Sequence, residues 1–223
     1  MKMVYAKYGI ELQIRENQIN NLLIENPEVF SDFLSELLWQ LQGNDGELIF
    51  SEGEKILTPA RNIILISNPL VVDCNEKKII TKLYKELADN VQNQMYAAYS
   101  EMNSKIIGLL DDILNTVPYH LESDIDLEIT ALLKSYNVQI ATEGMLPLER
   151  LIDYLRANSS ICGIRIFIIL NVKQFFTKEE LQQLYEFCFY EKIYLICLDG
   201  MKSYTMNDEK CVIIDKDLCI IEP

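Results

Sequence analysis

The sequence predicts an α/β protein in which an α-helical leg is inserted into an α/β head. Two continuous apolar runs are separated by an amphipathic helix, RIFIIL at 165–170 and IYLICL at 193–198. Unbroken apolarity is typical of parallel strands that are buried on both faces, so this part predicts a βαβ unit of the head. Residues 76–117 contain no proline and one glycine, Gly108, and their apolar residues recur at helical spacing, which predicts the leg.

The N-terminal part of the head is predicted to begin with short strands. Residues 3–14 alternate irregularly between apolar and polar side chains and predict one or two strands. Asn26 is a good helix N-cap and Pro27 suits the first helical position, so a helix with one apolar face is predicted to start there. Further strands are predicted at 47–50 and at 62–67, where NIILIS is followed by Asn-Pro.

The leg is predicted to start with one long helix. Apolar residues from Leu83 to Ile113 follow one another at steps of three or four residues, which is a stripe with coiled-coil character. About 40 residues at 1.5 Å each would span roughly 60 Å. We therefore expect this helix to project from the head or to bend near Gly108. A shorter helix is predicted at 126–136, and a returning helix is predicted to start at Pro147.

These elements divide the chain of 223 residues into two parts. We expect a discontinuous head that comprises residues 1–88 and 146–223, and a leg that comprises residues 89–145. Such a length accommodates either one large domain or two small ones.

The C-terminal part of the head carries two further local signals. Thr177 and Glu180 have the spacing of a capping box, which predicts the start of the helix between the two buried strands. The segments 211–214 and 218–221 are predicted to close the chain as a hairpin that turns at Asp215.

Composition and charge exclude several classes of protein. The formal net charge is −14, which disfavours indiscriminate binding to nucleic acid or to anionic membranes but leaves room for a local basic surface. Residues 1–16 lack the basic and apolar regions of a signal peptide, and no apolar run reaches the length of a membrane span. We expect a soluble, cytoplasmic protein. The six cysteines contain no CxxC spacing, so buried thiols in a reducing compartment are favoured over a zinc site.

The sequence lacks the common catalytic signatures. It contains no GxxxxGK[ST] phosphate loop, no GxGxxG and no GxSxG. His120 is the only histidine, and a surface position near Pro118 is favoured over a catalytic one. We therefore predict that the protein is not an enzyme and assign no catalytic residue.

An acidic cluster lies where the leg is predicted to reverse. Four carboxylates alternate with other residues there, at Glu122, Asp124, Asp126 and Glu128. Crowded oxygen ligands on a loop suit Ca²⁺, although the spacing differs from that of an EF-hand. The alternative interpretation is a solvated loop in which an aspartate caps the following helix.

The basic residues suggest one positive strip. Lys78, Lys82 and Lys85 share a helix face by their i, i+4 and i+3 spacing, and Arg150 and Arg156 lie on the returning helix. Such a strip could face phosphate groups, and a merely solvated helix face is the alternative. Two or three lysines per chain would bind DNA weakly, whereas repetition in an oligomer would multiply the contacts.

Four segments carry a resemblance to a known family. They are ENPEVFSDFLSELLWQL, NIILISNPLVVDCNEKKIITKLYKEL, DIDLEITALLKSYNVQI and RIFIILNVKQFFTKEELQQLYEF with the later IYLICLD. With their order along the chain, they resemble the small subtype-specific protein of type II-A CRISPR systems, the Csn2 family. The resemblance implies a head similar to a phosphate-loop nucleotidase that lacks its loop. It also implies a tetrameric ring, stabilised by calcium, that binds ends of double-stranded DNA in its central hole without sequence preference.

The resemblance further implies a role and a set of site residues. The role is spacer acquisition, alongside the CRISPR integrase and the RNA-guided effector nuclease. Acidic residues of the leg would hold calcium, which nominates Glu122, Asp124, Asp126 and Glu128. Basic residues lining the hole would face DNA, which nominates Lys78, Lys82, Lys85, Arg150 and Arg156. The alternative function is a protein-interaction adaptor that uses its helical stalk and does not bind DNA. A divergent nucleotidase is disfavoured because the phosphate loop is missing.

Overall fold

The computed structural model describes residues 1–222 and has a mixed α/β architecture, as predicted. Ten strands form two sheets: β1 Lys2–Tyr5, β2 Ile10–Gln13, β3 Ile19–Ile24, β4 Leu48–Glu52, β5 Lys55–Leu57, β6 Ile63–Ile66, β7 Ile166–Leu170, β8 Tyr194–Asp199, β9 Glu209–Ile214 and β10 Ile220–Ile221. The described residues also form seven α-helices: α1 Pro27–Leu41, α2 Pro59–Asn62, α3 Lys77–Gln94, α4 Tyr96–Leu114, α5 Ile129–Ser135, α6 Pro147–Ser160 and α7 Lys178–Tyr190.

Contacts within the chain divide it into two compact units. The head unit consists of Met1–Cys74 together with the chain from Thr142 onward, and the leg unit consists of Asn75–Ala141. Residues 75–88 thus belong to the leg unit by their packing. The domain boundaries expected after residues 88 and 145 concern independent folding and stay a prediction.

The larger sheet of the head unit is parallel except at one edge. Its strand order is β10-β9-β3-β8-β7-β6, and only β10 pairs antiparallel, with β9. The predicted βαβ unit is confirmed as β7-α7-β8, and the predicted closing hairpin is confirmed as β9-β10. At the hairpin turn, the Asp215 Oδ1 atom accepts hydrogen bonds from the backbone N–H groups of Asp217 and Cys219.

The sequence pattern did not predict β3, although this strand lies inside the large sheet. All six residues of β3 are buried, between β9 and β8. Asn20 and Asn21 interrupt its apolar run, and asparagine is depleted in strands, so the usual signal is absent. The short strand β5, at the edge of the smaller sheet, was also not predicted. That sheet is antiparallel with the order β2-β1-β4-β5, which confirms strands within residues 3–14.

One core joins α1, the smaller sheet and one face of the larger sheet. Phe33 and Leu37 of α1 are buried with Phe50 of β4 and with Leu22 and Ile24 of β3. The N-cap prediction for α1 is confirmed because Asn26 Oδ1 accepts from the N–H groups of the second and third helical residues, at 3.0 and 3.2 Å. The capping box of α7 is also confirmed: Thr177 N–H donates to Glu180 at 2.8 Å, and Glu180 N–H donates to Thr177 Oγ1 at 3.2 Å.

The prediction of one long leg helix is wrong. The helix is interrupted at Met95, whose φ of −126° and ψ of 19° depart from helical values, and α4 then continues through Gly108 without a break. Tyr84 of α3 donates to the Val138 carbonyl at 2.8 Å, whereas Tyr99 of α4 donates to the Leu127 carbonyl at 3.1 Å. The two helices are therefore bonded to different parts of the segment between residues 127 and 138, and the interruption at Met95 lies between Tyr84 and Tyr99.

The cysteines are free thiols, and their environments differ. Four are buried as predicted, and burial raises the pKa of the Cys74 thiol to about 11. Cys211 is half-buried and Cys219 is exposed, so the prediction of buried thiols is wrong for Cys219. Among residues 1–222, no helix is both long enough and apolar enough to span a membrane.

Candidate nucleic-acid interface

A groove with a basic rim lies between α3 and α5 of the leg unit. It encloses about 500 Å³, and no carboxylate is among its lining residues. Three of these residues are lysines, and the others are polar or apolar: Lys77, Ile80, Thr81, Tyr84, Lys85, Thr130, Lys134 and Asn137. Because three lysines and no carboxylate are among its lining residues, this groove is the candidate interface for phosphate groups.

The walls of the groove are held together by buried side chains and by hydrogen bonds from side chains to the backbone. Ile79 and Tyr84 are the buried residues of α3, which fixes the helix face that packs inward. The Asn75 side chain forms two hydrogen bonds with the Ile140 backbone. Its Nδ2 atom donates to the Ile140 carbonyl at 2.9 Å, and its Oδ1 atom accepts from the Ile140 N–H at 2.8 Å. Together with the bond from Tyr84 to Val138, these contacts fix the chain beyond α5 against α3.

The structure brings together a set of lysines that overlaps only partly with the predicted set. Lys78, Lys82 and Lys85 are all exposed on α3, as their spacing predicts. Only Lys85 lines the groove, where Lys77 from the same helix and Lys134 from α5 join it. Sequence reasoning missed Lys134 because no local pattern links it to the lysines of α3.

The two predicted arginines belong to the head unit and have different surroundings. The Arg156 Nη1 atom lies 2.5 Å from an Asp153 carboxylate oxygen, and its Nε atom lies 3.8 Å from Glu191. Its guanidinium also lies over the Phe187 ring, 5.1 Å from the centroid. Arg150 is half-buried, and its Nε atom is buried without a hydrogen-bond partner. Carboxylates of the head unit thus compensate the charge of Arg156, which makes it a weaker candidate for phosphate contact than the groove lysines.

The predicted calcium ligands are exposed on the segment between α4 and α5. Asp124, Asp126 and Glu128 line a hollow of about 120 Å³ beside α4, and Glu122 is not among its lining residues. Thr130 Oγ1 donates a hydrogen bond to Glu128. Within residues 1–222, no three or more His, Cys, Asp or Glu side chains lie close enough together to hold a metal ion. The role of these carboxylates as calcium ligands stays a prediction.

The carboxyl end of β3 is where a parallel sheet of this kind would hold a nucleotide. Only Glu25 and Asn26 connect β3 to α1, which leaves no room for a glycine-rich phosphate cradle. The Asn26 side chain already accepts hydrogen bonds from N–H groups of the first helical turn, and Pro27 has no N–H to offer. The geometry thus agrees with the missing phosphate-loop motif. His120, the only histidine, is exposed.

Comparison with protein families gives a match that covers most of the chain. The model for a family of CRISPR-associated proteins, Cas_Csn2, matches residues 40–218. The match includes the whole leg unit and therefore the groove between α3 and α5.

Proposed function

The chain belongs to the Cas_Csn2 family of CRISPR-associated proteins, and from this premise we propose that it binds ends of double-stranded DNA without sequence preference. Family membership implies a role associated with CRISPR adaptation. The family is not known as an enzyme family, which favours a binding role over catalysis. The proposed partners are the CRISPR integrase and the RNA-guided effector nuclease.

The lysine-rimmed groove of the leg unit is the observation that carries the proposal. Its lining contains Lys77, Lys85 and Lys134 and no carboxylate, although the chain as a whole has a net charge of −14. DNA would be attracted to this groove and repelled by most of the remaining surface, which favours contact along one path. Lys78 and Lys82, exposed on the same helix, would extend the path. Phosphate contacts of this kind carry no sequence information.

Assembly into a ring is the second part of the proposal. No residue of α4 is buried in the single chain, and Leu109 and Ile113 are 59% and 52% exposed. Large apolar side chains exposed along one helix are typical of a surface that another protein covers. We propose that further copies of this chain cover it in a tetrameric ring. Each copy would then contribute its groove, and the contacts with one duplex would multiply.

In this proposal, calcium is an ion that copies of the chain share. The carboxylates of Glu122, Asp124, Asp126 and Glu128 do not gather into a site within one chain. We propose that a calcium ion that stabilises the ring takes its ligands from more than one copy. Ca²⁺ takes six to eight oxygen ligands, and such a shared site would offset repulsion between acidic leg units.

The head unit is proposed to be a phosphate-loop nucleotidase fold that has lost its loop. The support is a mostly parallel sheet in which an inner strand, β3, leads directly into α1. The short Glu25–Asn26 connection and the self-capped helix would remove triphosphate binding while the sheet is kept. Absence of ATP turnover is the expected result for the purified protein.

Salt-dependent binding to a blunt duplex tests the DNA proposal. The affinity of the wild-type protein, measured by fluorescence anisotropy, should fall steeply as salt rises, because several phosphates are neutralised at once. Replacing Lys77, Lys85 and Lys134 with alanine should weaken binding equally for all sequences and lower the salt slope by about one for each phosphate that is no longer neutralised. Lys105→Ala is the matched control, because this exposed lysine of α4 pairs with Glu101 at 2.6 Å and lies outside the groove. Binding that is independent of salt, or that survives the triple replacement unchanged, would contradict the proposal.

The adaptor is the second candidate, and the exposed apolar face of α4 is the observation that favours it. A protein partner could cover this face without any DNA. Linear and closed circular DNA of one sequence separate the candidates. A ring should retain the linear duplex by its ends and release the closed circle, whereas an adaptor should bind neither.

A further inference from the structure

The groove between α3 and α5 has an apolar part that phosphate groups do not use. Ile80, which is half-buried, and Tyr84 contribute apolar side chains to its lining. The Tyr84 hydroxyl already donates to the Val138 carbonyl at 2.8 Å, which fixes the position of the ring. Apolar contact does not stabilise a phosphate group, because a charged group stays hydrated or paired with a cation. The groove therefore offers a contact surface for a second, apolar part of an anionic ligand.

The positive charges of the groove are available to such a ligand. Within residues 1–222, the ammonium groups of Lys77, Lys85 and Lys134 form no ion pair. One carboxylate, that of Glu128, lies just outside the lining and accepts a hydrogen bond from the Thr130 hydroxyl. The three lysines outnumber this carboxylate, so the groove keeps an excess of positive charge.

Asn137 adds a hydrogen-bond donor to the lining. Its Oδ1 atom accepts from Gln139 Nε2 at 3.0 Å, and within the described part of the chain its Nδ2 atom has no partner. The residue ends α5 in the left-handed region, with a φ of 48°, which asparagine tolerates better than most residues. The Val138 N–H donates to the Leu133 carbonyl at 3.1 Å across this turn. The end of α5 thus holds the amide donor at the groove.

We propose that the groove binds the base of an unpaired nucleotide at a DNA end, while the adjoining phosphates contact the lysines. This inference rests on the proposed DNA binding and names the kind of end that fits best. A volume of about 500 Å³ lies within the range of about 300–1,000 Å³ that is usual for small-ligand pockets. Bases inside a duplex are stacked and paired, whereas an unpaired terminal base is free to enter without loss of pairing.

Each part of the groove then has a part of the nucleotide to contact. Ile80 and Tyr84 pack against the base, and the Asn137 Nδ2 atom donates to an acceptor atom on its edge. Every base has a face for apolar contact, so this contact adds no strong sequence preference. An acidic segment of a protein is the competing occupant, because it would also match the lysines.

Binding of three duplexes with the same paired sequence tests the inference. One is blunt, one has a short single-stranded overhang, and one has an overhang of equal length that lacks its bases. The abasic overhang carries the same phosphates, so the comparison isolates the base. Fluorescence anisotropy with the full chain should show about tenfold tighter binding of the normal overhang than of the abasic one. Both 3′ and 5′ overhangs are measured, and a gain for either supports the inference.

Asn137→Gly tests the amide donor, because glycine keeps the left-handed backbone and removes the side chain. It should lower the gain from the base about fivefold. Asn17→Gly is the matched control, since Asn17 is an exposed asparagine of the head unit with a φ of 53°, and it should keep the full gain. A gain that survives Asn137→Gly unchanged would contradict the role of this donor.

Photocrosslinking locates the base without any variant. A 5-iodouracil at the unpaired position should crosslink to the lining residues of α3 or α5, as mapped by mass spectrometry. Crosslinks confined to the head unit would overturn the inference. Equal, salt-dependent binding of all three duplexes would also overturn it, while the proposed DNA binding would stand and the groove would be left to an acidic protein segment. Failure of every duplex to bind would overturn both.

Discussion

The head unit and the leg unit bury their apolar residues to very different extents. In the head unit, all residues of β3 and β8 are buried, and α1 buries Val29, Phe33 and Leu37. In the leg unit, α4 is longer than α1 but buries no residue. The head unit therefore carries a core that can stabilise it within one chain. The leg unit presents exposed apolar surface, which the proposed assembly would cover.

In the leg unit, side-chain hydrogen bonds to the backbone add to a small set of buried residues, Ile79, Tyr84 and Ile129. Asn103 of α4 donates to the Ile125 carbonyl at 2.8 Å and accepts from the Leu127 N–H at 3.1 Å. Tyr99 donates to the Leu127 carbonyl. Such bonds fix the path of the chain, but each contributes only about 1 kcal/mol to stability. The leg unit is thus shaped by its own bonds, and assembly is expected to stabilise it.

The largest expected effect compares one apolar truncation in each unit. Phe33→Ala should lower the free energy of unfolding of the head unit by about 3–5 kcal/mol, because it leaves a cavity in the main core. Leu109→Ala should change it little in a dilute monomer, because this side chain is 59% exposed. Urea unfolding monitored by circular dichroism measures both variants. Equal losses would show that the leg unit is packed as tightly as the head unit.

The next comparison concerns one ion pair in each unit. Lys173→Met should destabilise the protein by about 3–5 kcal/mol, because it leaves Glu209 buried without its cation. The side chains of this pair are 1% and 0% exposed. Lys105→Met removes an exposed pair with Glu101 on α4 and should have no measurable effect on stability. Thermal unfolding at neutral pH is the measurement. A tolerated Lys173→Met variant would contradict the assignment of a buried, coupled pair.

A third prediction concerns the pH dependence that Asp199 confers on the head unit. Its folded-state pKa of about 6 lies above its ordinary value of 3.8, so ionisation is disfavoured in the folded protein. This group therefore lowers stability above pH 6, and the penalty disappears as the pH falls towards 4. Asp199→Asn should exceed the wild type in stability by at most about 3 kcal/mol at pH 8. The two proteins should converge near pH 4. Parallel stability curves would contradict the raised pKa.

The smallest expected effect is local to the leg unit. Asn103→Ala removes both bonds to the chain between α4 and α5, and it should lower protection there by about 1 kcal/mol per bond at most. Hydrogen exchange measured by mass spectrometry should show faster exchange in residues 119–128 and unchanged exchange in β7 and β8. A change that spreads into the head unit would show that the two units unfold together.

The sequence predicted those parts of the fold that local chemistry specifies. Asn26 and Thr177 mark helix starts by their own side-chain hydrogen bonds, and the apolar runs at β7 and β8 reflect burial on both faces. β3 was missed because its burial depends on strands far away in the sequence, while Asn20 and Asn21 hide its apolar character. The end of α3 at Met95 was missed because the apolar stripe continues through it.

The candidate site was predicted only in part, because local sequence patterns do not specify how distant elements pack. Helical spacing placed Lys85 on an exposed face of α3, but the approach of Lys134 depends on how α5 packs. The alternating carboxylates at 122–128 stay predicted ligands, because alternation along an irregular segment does not by itself fix the distances between side chains. Arg156 was nominated from its helix position alone, and its pairing with Asp153 became visible only in the structure.

Light scattering during size exclusion tests the central claim, that copies of the chain cover the apolar face of the leg unit. The mass is measured with calcium and with a chelator, for the wild type and for a Leu109→Glu, Ile113→Glu variant. We predict a mass near four chains for the wild type and a smaller mass for the variant. A mass that falls on chelation would support calcium as part of the assembly. A tetramer whose mass the chelator leaves unchanged would contradict that role. A wild-type mass of one chain both with calcium and with the chelator would contradict the account.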